Sequence, residues 1–378
     1  MPFCYAPWTN IDISPTGCIS PCCKFLHDKY DSPIHTIQNN SIKEYMDSHV
    51  LNEVKEQFLQ NQWPKGCERC RIEESNNIES KRQLDYIRWK SHYENYDFSK
   101  PDLLTASIAF GNACNLKCIT CDSRCSSTWR KEWKAIYNVD IKPLHFKHNN
   151  IIQEIVNLTK KDLIHFDIPG GEPFISGINE QKYILKSLIE SGRSESISIH
   201  YTTNATIYPD KSWWELWKHF KEIDMQLSID GIGPRFEYIR YPANWESVNQ
   251  NIQKYKEAEK KLNNLRLSIS HTVSAFNILY VGDFFEWCET ESLPKPWLGR
   301  VHSPDYMRPS VWPQHAKNKI IGKLEKSLHP DVKSWIELLY NTDDSDKFPE
   351  FLKNLHKHDQ YRNLNFSETF PEMAKFIK

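Results

Sequence analysis

This chain lacks the long apolar run, of roughly 18 or more residues, that a membrane-spanning helix needs. It also lacks a dominant charge: 48 Lys and Arg stand against 49 Asp and Glu, a net of −1, and the two signs are evenly mixed. A field strong enough to hold nucleic acid would need a local basic patch, so nucleic acid is not an expected partner. The opening residues, MPFCYAPWTNIDIS, contain no basic stretch followed by an apolar one. No secretory signal is read there, and the expected location is the cytoplasm. Internal repeats, low-complexity tracts and an obvious flexible linker are missing too. Disorder is excluded by what is present: 39% hydrophobic residues and 13% aromatics supply ample core material. A length of 378 residues suits about two domains.

The informative feature is cysteine. Eleven are present, an odd number, and a reducing compartment disfavours structural disulfides. Ten of them crowd into short clusters, the spacing of metal ligands, whereas thiols serving as small buried hydrophobes would scatter. The sharpest cluster is Cys114-Asn-Leu-Lys-Cys118-Ile-Thr-Cys121, which follows a strand over Leu104–Phe110 through the turn Gly111-Asn112. Three thiolates at this spacing can hold three corners of a 4Fe–4S cluster and leave one iron open to an outside ligand. Cys125 extends the run to four, enough for a closed site. Asp122 could instead cap a helix starting at Ser123, which would carry Cys125 away from the loop.

A second group lies nearer the start: Cys4, then Gly17-Cys18-Ile19-Ser20-Pro21-Cys22-Cys23, then Cys67-Glu-Arg-Cys70. Ile11, Ile13 and Ile19 flank the turn signal Pro15-Thr16-Gly17, which predicts a β-hairpin whose far end delivers Cys22 beside Cys4. A helix over Ser41–Gln60 would return the chain to Cys67 and Cys70. Cys4, Cys22, Cys67 and Cys70 then form a closed four-thiolate site for zinc or an iron–sulfur cluster, with Cys23 an alternative to Cys22.

From Leu104 onward strand and helix patterns alternate. Strands are expected at Leu104–Phe110, Leu163–Pro169, Ser196–Thr202, Met225–Asp230, Leu265–Thr272 and Trp297–His302, with helices between them. This is an α/β fold of parallel units, either an open doubly wound sheet or an incomplete barrel, with ligands at the carboxyl ends of the strands. Beyond Met307 the pattern is helical and charged. Three further strand ends carry chemistry. Gly170-Gly171-Glu172 offers close backbone approach and acceptors for an ammonium group. Thr202-Thr203-Asn204 and Ser228-Ile229-Asp230-Gly231 suit sugar hydroxyls or helix capping, and Arg240 suits a ligand carboxylate or the surface.

Taken together, the C-x3-C-x2-C loop, the GGEP after the second strand and the SIDG after the fourth resemble the radical S-adenosylmethionine enzymes. The resemblance implies a partial (β/α)6 barrel over about 100–305. Cys114, Cys118 and Cys121 would ligate a 4Fe–4S cluster, and Gly170, Gly171 and Glu172 would meet the methionine ammonium. Ser228 and Asp230, with Asn204, would face the ribose; Arg240 would lie near the carboxylate and Val273 by the adenine. One departure is Thr120, where that family usually has an aromatic residue. The pattern Cys4…Gly17-x4-Cys22…Cys67-x2-Cys70 is similar to a twitch domain, the shortened SPASM module that holds an auxiliary 4Fe–4S cluster. Here it occupies 1–80, ahead of the barrel, and a helical extension occupies 306–378.

The implied activity is generation of a 5′-deoxyadenosyl radical that abstracts hydrogen from a substrate carbon, with the auxiliary cluster relaying the electron. Oxidation of a peptide or protein side chain is the expected reaction. A small molecule such as a nucleotide, sugar or lipid headgroup is the alternative substrate, since no leader-recognition segment is read ahead of the cysteine module. A non-catalytic metal-binding regulator is the other alternative. A flavodoxin or ferredoxin would donate single electrons. Cys125 and Cys288 are candidates for a proton or hydrogen donor, against inert buried thiols.

Overall fold

The computed structural model describes residues 2–30, 34–75, 79–98, 103–139, 149–159 and 162–377. Its strands are β1 (Asn10–Ile13), β2 (Ile19–Ser20), β3 (Thr105–Ile108), β4 (His165–Ile168), β5 (Ser198–Thr203), β6 (Glu222–Ser228), β7 (Leu265–Val273) and β8 (Trp297–Arg300). They form one mostly parallel sheet in the order β2-β1-β3-β4-β5-β6-β7-β8. The six strands expected from Leu104 onward are all present, within a few residues of their expected ends. The hairpin read from Ile11, Ile13 and Ile19 also forms, with Ile13 opposite Ile19, and its β1 pairs parallel with β3. Among the described residues no helix is long and apolar enough to cross a membrane.

Two compact units make up the chain. The first comprises Met1–Asn112, Pro143–Tyr201 and Pro209–Ile223; the second comprises Ala113–Lys142, Thr202–Tyr208 and Asp224–Lys378.

In the first unit, alternation along the strands sends Ile11, Ile13, Ala106, Ile108, Phe166, Ile168, Ile199 and Tyr201 into the core. The register puts the intervening residues Asp12, Ser107, Asp167 and His200 in one row across four strands. Parallel strands usually carry apolar residues on both faces, so this polar row is a departure from the norm. Ser107 Oγ donates to Asp167 Oδ2 at 3.1 Å. Burial pushes Asp12 up to about 6, with Ser107 opposing the rise and Asp167 adding to it. The helix expected over Ser41–Gln60 is two, Ile42–Met46 and His49–Leu59. The break follows from capping: Ser41 and Glu44 form a reciprocal box on the first, and Ser48 Oγ accepts from Leu51 N to start the second.

In the second unit, the C-terminal helices are no appendage. Trp312, Ile320, Phe351 and Phe370 share one core with Val273, Phe276 and Val281. Each such side chain contributes about 1.5–3 kcal/mol on burial, so the helices Gln314–Leu324 and Phe348–Arg362 are integral to this unit. The helix expected to start at Ser123 does not form. Asp122 Oδ1 accepts from Arg124 N at 2.8 Å, which closes a turn, and the helix begins only at Trp129.

His271 on β7 is buried, its ring centroid 4.2 Å from that of Phe284, in a small pocket that Asp230, Arg235 and Asn277 also line. The carbonyl of Ile229 can only accept, so His271 Nδ1 donates to it at 2.9 Å. Burial pushes the imidazole down to about 4, against the pull of Asp230. As pH falls below about 6.5, the unfolded chain gains a proton that the folded ring refuses until near 4. We therefore expect stability to fall by about 3 kcal/mol across that window through this residue alone. Urea unfolding of His271→Gln at a series of pH values checks this: the variant's acid limb should be shallower than wild type, and parallel limbs would contradict it.

Candidate iron–sulfur sites

Four thiols of the first unit line one cavity. Cys4 precedes the helical turn Ala6–Thr9, and Cys22 follows β2 after Pro21. Cys67 ends the short turn Lys65–Cys67, and Cys70 lies on the helix Glu68–Ser75. Phe25, Phe58 and Trp63 complete the apolar wall, and Lys81, Arg82 and Asp85 the polar one. Gly66 is required at its position, since a Cβ there would fall 2.3 Å from the Phe25 ring. Arg82 secures the rim, donating to Phe3 O at 2.8 Å and to both carboxylate oxygens of Glu74. Cys22 lines the cavity, whereas Cys23 is exposed and Cys18 lies elsewhere on the hairpin.

Burial pushes the Cys4 thiol up to about 12 and raises Cys22, Cys67 and Cys70 as well. Ligation must therefore displace four protons, and Lys81 and Arg82 supply positive charge for the resulting thiolates. Burial opposes the charge on Lys81, but Asp85, at 2.7 Å, holds it protonated. Among the described residues, no three His, Cys, Asp or Glu side chains converge as ligands of a single ion. The four thiols line one cavity, a donor set that fits a 4Fe–4S cluster.

The second unit holds Cys114, Cys118 and Cys121 in a loop fixed by its backbone. Lys117 N donates to Tyr241 O at 2.6 Å, and Ile119 N to Ile239 O at 2.7 Å. Ser126 Oγ and Thr128 Oγ1 both donate to Leu116 O, and Trp129 Nε1 donates to Cys118 O at 3.2 Å. Asn204 Nδ2 points at Cys114 Sγ, 3.8 Å away, and donates to Asn115 Oδ1 at 3.0 Å. Cys125 stays beside this loop, contrary to the expectation of a helix carrying it off. It is exposed and close to Cys121, and its proximity, then burial, raises the Cys121 thiol. The loop therefore offers three partly buried thiols and an exposed fourth, a donor set that fits a 4Fe–4S cluster.

The other residues singled out in the sequence divide between the units. In the first, Gly170 and Gly171 both have positive φ, 86° and 47°, and a Cβ on Gly170 would come within 2.5 Å of Ala109 Cβ. Glu172 is fully buried and accepts from Phe174 N at 3.3 Å. In the second, Asp230 and Arg240 form a buried ion pair at 2.8 Å, and Asp230 Oδ1 accepts from Thr272 N at 2.7 Å. Ser228 Oγ lies 3.2 Å from Ser270 Oγ, and Val273 is fully buried. Cys288 is buried in the helix Val281–Thr290, where burial pushes its thiol up to about 12 and leaves it inert. The polar row of Asp12, Ser107 and Asp167 was missed in the sequence; polar residues at alternate positions of three apolar strands were its only signal.

Residues 4–71 match the family model SPASM, an iron–sulfur cluster-binding domain. This segment is a SPASM domain. Its boundaries take in all four cysteines of the first cavity, and the SPASM assignment decides for an iron–sulfur cluster over zinc there. Among curated proteins none matches this sequence. Three solved structures are similar at low identity. Native anSMEcpe with bound AdoMet is 17% identical with a TM-score of 0.43, over 63% of this chain and 62% of that one. The same protein with bound AdoMet and Kp18Cys peptide is 16% identical with a TM-score of 0.43, over 58% and 59%. Streptococcus suis SuiB bound to S-adenosylmethionine is 14% identical with a TM-score of 0.33, over 96% and 72%. The chain thus spans about three-fifths of the length of anSMEcpe.

Replacing both Cys67 and Cys70 by Ala should remove about half of the iron and sulfide bound after anaerobic reconstitution and leave the rest. Metal analysis showing zinc in the SPASM domain, or no loss of iron in the double variant, would contradict the assignment.

Proposed function

We propose that this chain is a radical S-adenosylmethionine enzyme that oxidises a substrate at carbon, with its SPASM cluster receiving the electron. The observation that carries this reading is the separation of seven thiols into two sets. Four surround a SPASM cavity, and three lie in a backbone-fixed loop of the other unit with an asparagine amide aimed at one of them. A closed set of four suits electron relay, because no corner is left vacant, and a set of three suits cofactor binding, because one is.

When bound, a reduced 4Fe–4S cluster together with S-adenosylmethionine supplies a 5′-deoxyadenosyl radical that removes a hydrogen atom from substrate carbon. Cys114, Cys118 and Cys121 would hold that cluster, and Asn204 would orient Cys114. Gly170, Gly171 and Glu172 would accept from the ammonium of the cofactor, and Ser228, Asp230, Asn204, Arg240 and Val273 would complete its site in a partial (β/α)6 barrel over 100–305. Cys4, Cys22, Cys67 and Cys70 would hold the relay cluster. The substrate in this reading is a peptide or protein side chain. Support comes from the apolar surface exposed on and after the helix Lys81–Tyr93, where Leu84, Tyr86, Ile87 and Phe98 are all more than a third accessible. A flavodoxin or ferredoxin in the cytoplasm would supply electrons.

The expected result with anaerobically reconstituted, dithionite-reduced protein is equimolar 5′-deoxyadenosine and methionine from S-adenosylmethionine, followed by mass spectrometry. Alanine at Cys114, Cys118 and Cys121 should abolish both products, whereas alanine at Cys67 and Cys70 should leave cleavage intact and stop substrate oxidation. Absence of 5′-deoxyadenosine from the intact protein, or its persistence in the triple variant, would contradict the reading.

A further inference from the structure

A buried cation stands behind the Cys114–Cys121 loop. Arg362, the last residue of the helix Phe348–Arg362, has a fully buried side chain. Its Nε donates to Glu132 Oε1 at 2.7 Å and its Nη2 to Lys117 O, inside the loop, at 2.7 Å. The guanidinium lies 4.8 Å from the ring centroid of Trp129 and 4.9 Å from that of Tyr241. Trp129 in turn donates to Cys118 O, so the arginine grips the loop both directly and through this ring. Its Nη1 is buried without a hydrogen-bond partner.

Glu132 is the carboxylate that faces Arg362, and it also takes Lys117 at 3.1 Å. His358 adds no charge. Its Nδ1 donates to Glu132 Oε1, its Nε2 accepts from Tyr137 Oη at 3.2 Å, and burial and Arg362 hold the ring neutral. Lys117 and Arg362 thus share the carboxylate of Glu132, while Asp359 on the same helix accepts from Tyr238 Oη and Phe366 N, and the arginine's charge is buried. Such a charge is costly unless an anion compensates it, and a packed apolar group there would cost less. The loop that Arg362 grips at Lys117 O carries the three thiols Cys114, Cys118 and Cys121.

We propose that Arg362 is a positioning residue of the cysteine loop, holding Lys117 and Cys118 in place and supplying buried positive charge that favours the reduced, more negative state of the cluster bound there. This rests on the reading of the loop as a 4Fe–4S site. Cluster potentials respond to net charge, sulfur hydrogen bonding and burial, and a cation fixed in a water-poor interior acts on the first of these.

The test is an EPR-monitored redox titration of the full-length reconstituted protein, following the signal that S-adenosylmethionine perturbs. Arg362→Gln should shift the reduction equilibrium about tenfold toward the oxidised state, about 59 mV for one electron, at unchanged iron content. Arg362→Lys should stay near wild type, because the charge remains. Glu132→Gln should shift the equilibrium the other way, because the arginine's charge is then less compensated. Opposite signs for the two glutamine variants are the signature of charge. Equal signs, or no shift in either, would overturn the proposal and leave Arg362 a packing residue. If Arg362→Gln does not fold, Glu132→Gln alone decides, and failure of its potential to rise overturns the proposal. An S-adenosylmethionine-sensitive signal that survives alanine at Cys114, Cys118 and Cys121 would instead overturn the cluster reading, before Arg362 is changed.

Discussion

A buried thiol becomes a metal ligand only by losing its proton in surroundings that penalise the charge left behind. Both cysteine sets of this chain meet that constraint, and much of the neighbouring architecture answers to it. In the first unit Lys81 and Arg82 stand on the helix that begins beside the cavity, each tied to a carboxylate, Asp85 or Glu74, that keeps it in place. In the second, Arg240 is held by Asp230 and Arg362 by Glu132, and both lower the thiol of Cys118 against the effect of burial. The pairing is economical in residues: each carboxylate fixes a cation whose field acts on the neighbouring thiols.

The same constraint explains where the sequence was legible. Cysteine spacing is local, and the carboxyl ends of parallel strands bring such loops to one end of a sheet, so the Cys114 loop and the hairpin leading to Cys22 could both be read from residue order. The strands announced themselves through apolar runs bounded by glycine and proline. The counter-charges could not be read in this way. Arg362 lies 244 positions from Cys118 and sits in an ordinary charged helical tail; only the packing of Trp312, Phe351 and Phe370 into the core of that unit brings it to the loop. Lys81 was likewise one charge among 97, and no local pattern marks it as the cation of a cavity.

Two local readings failed for a shared reason. Polar side chains near a helix start can satisfy the backbone in more than one way. Asp122 closes a turn with Arg124 where a cap was expected, and Ser48 restarts a helix inside the single helix expected over Ser41–Gln60. The first of these matters for chemistry, because it leaves Cys125 beside Cys121. Whether the loop works with three sulfur ligands or four is the point on which the function turns, since only three leave an iron for S-adenosylmethionine.

The most direct measurement is Mössbauer spectroscopy of the iron-57-reconstituted protein with and without S-adenosylmethionine. The account predicts that one iron subsite of the Cys114 cluster changes its isomer shift on addition, as its coordination expands, while the SPASM cluster is unaffected. A spectrum that S-adenosylmethionine leaves unchanged, turning responsive only when Cys125 is replaced by Ser, would mean a closed four-thiolate cluster and contradict the account.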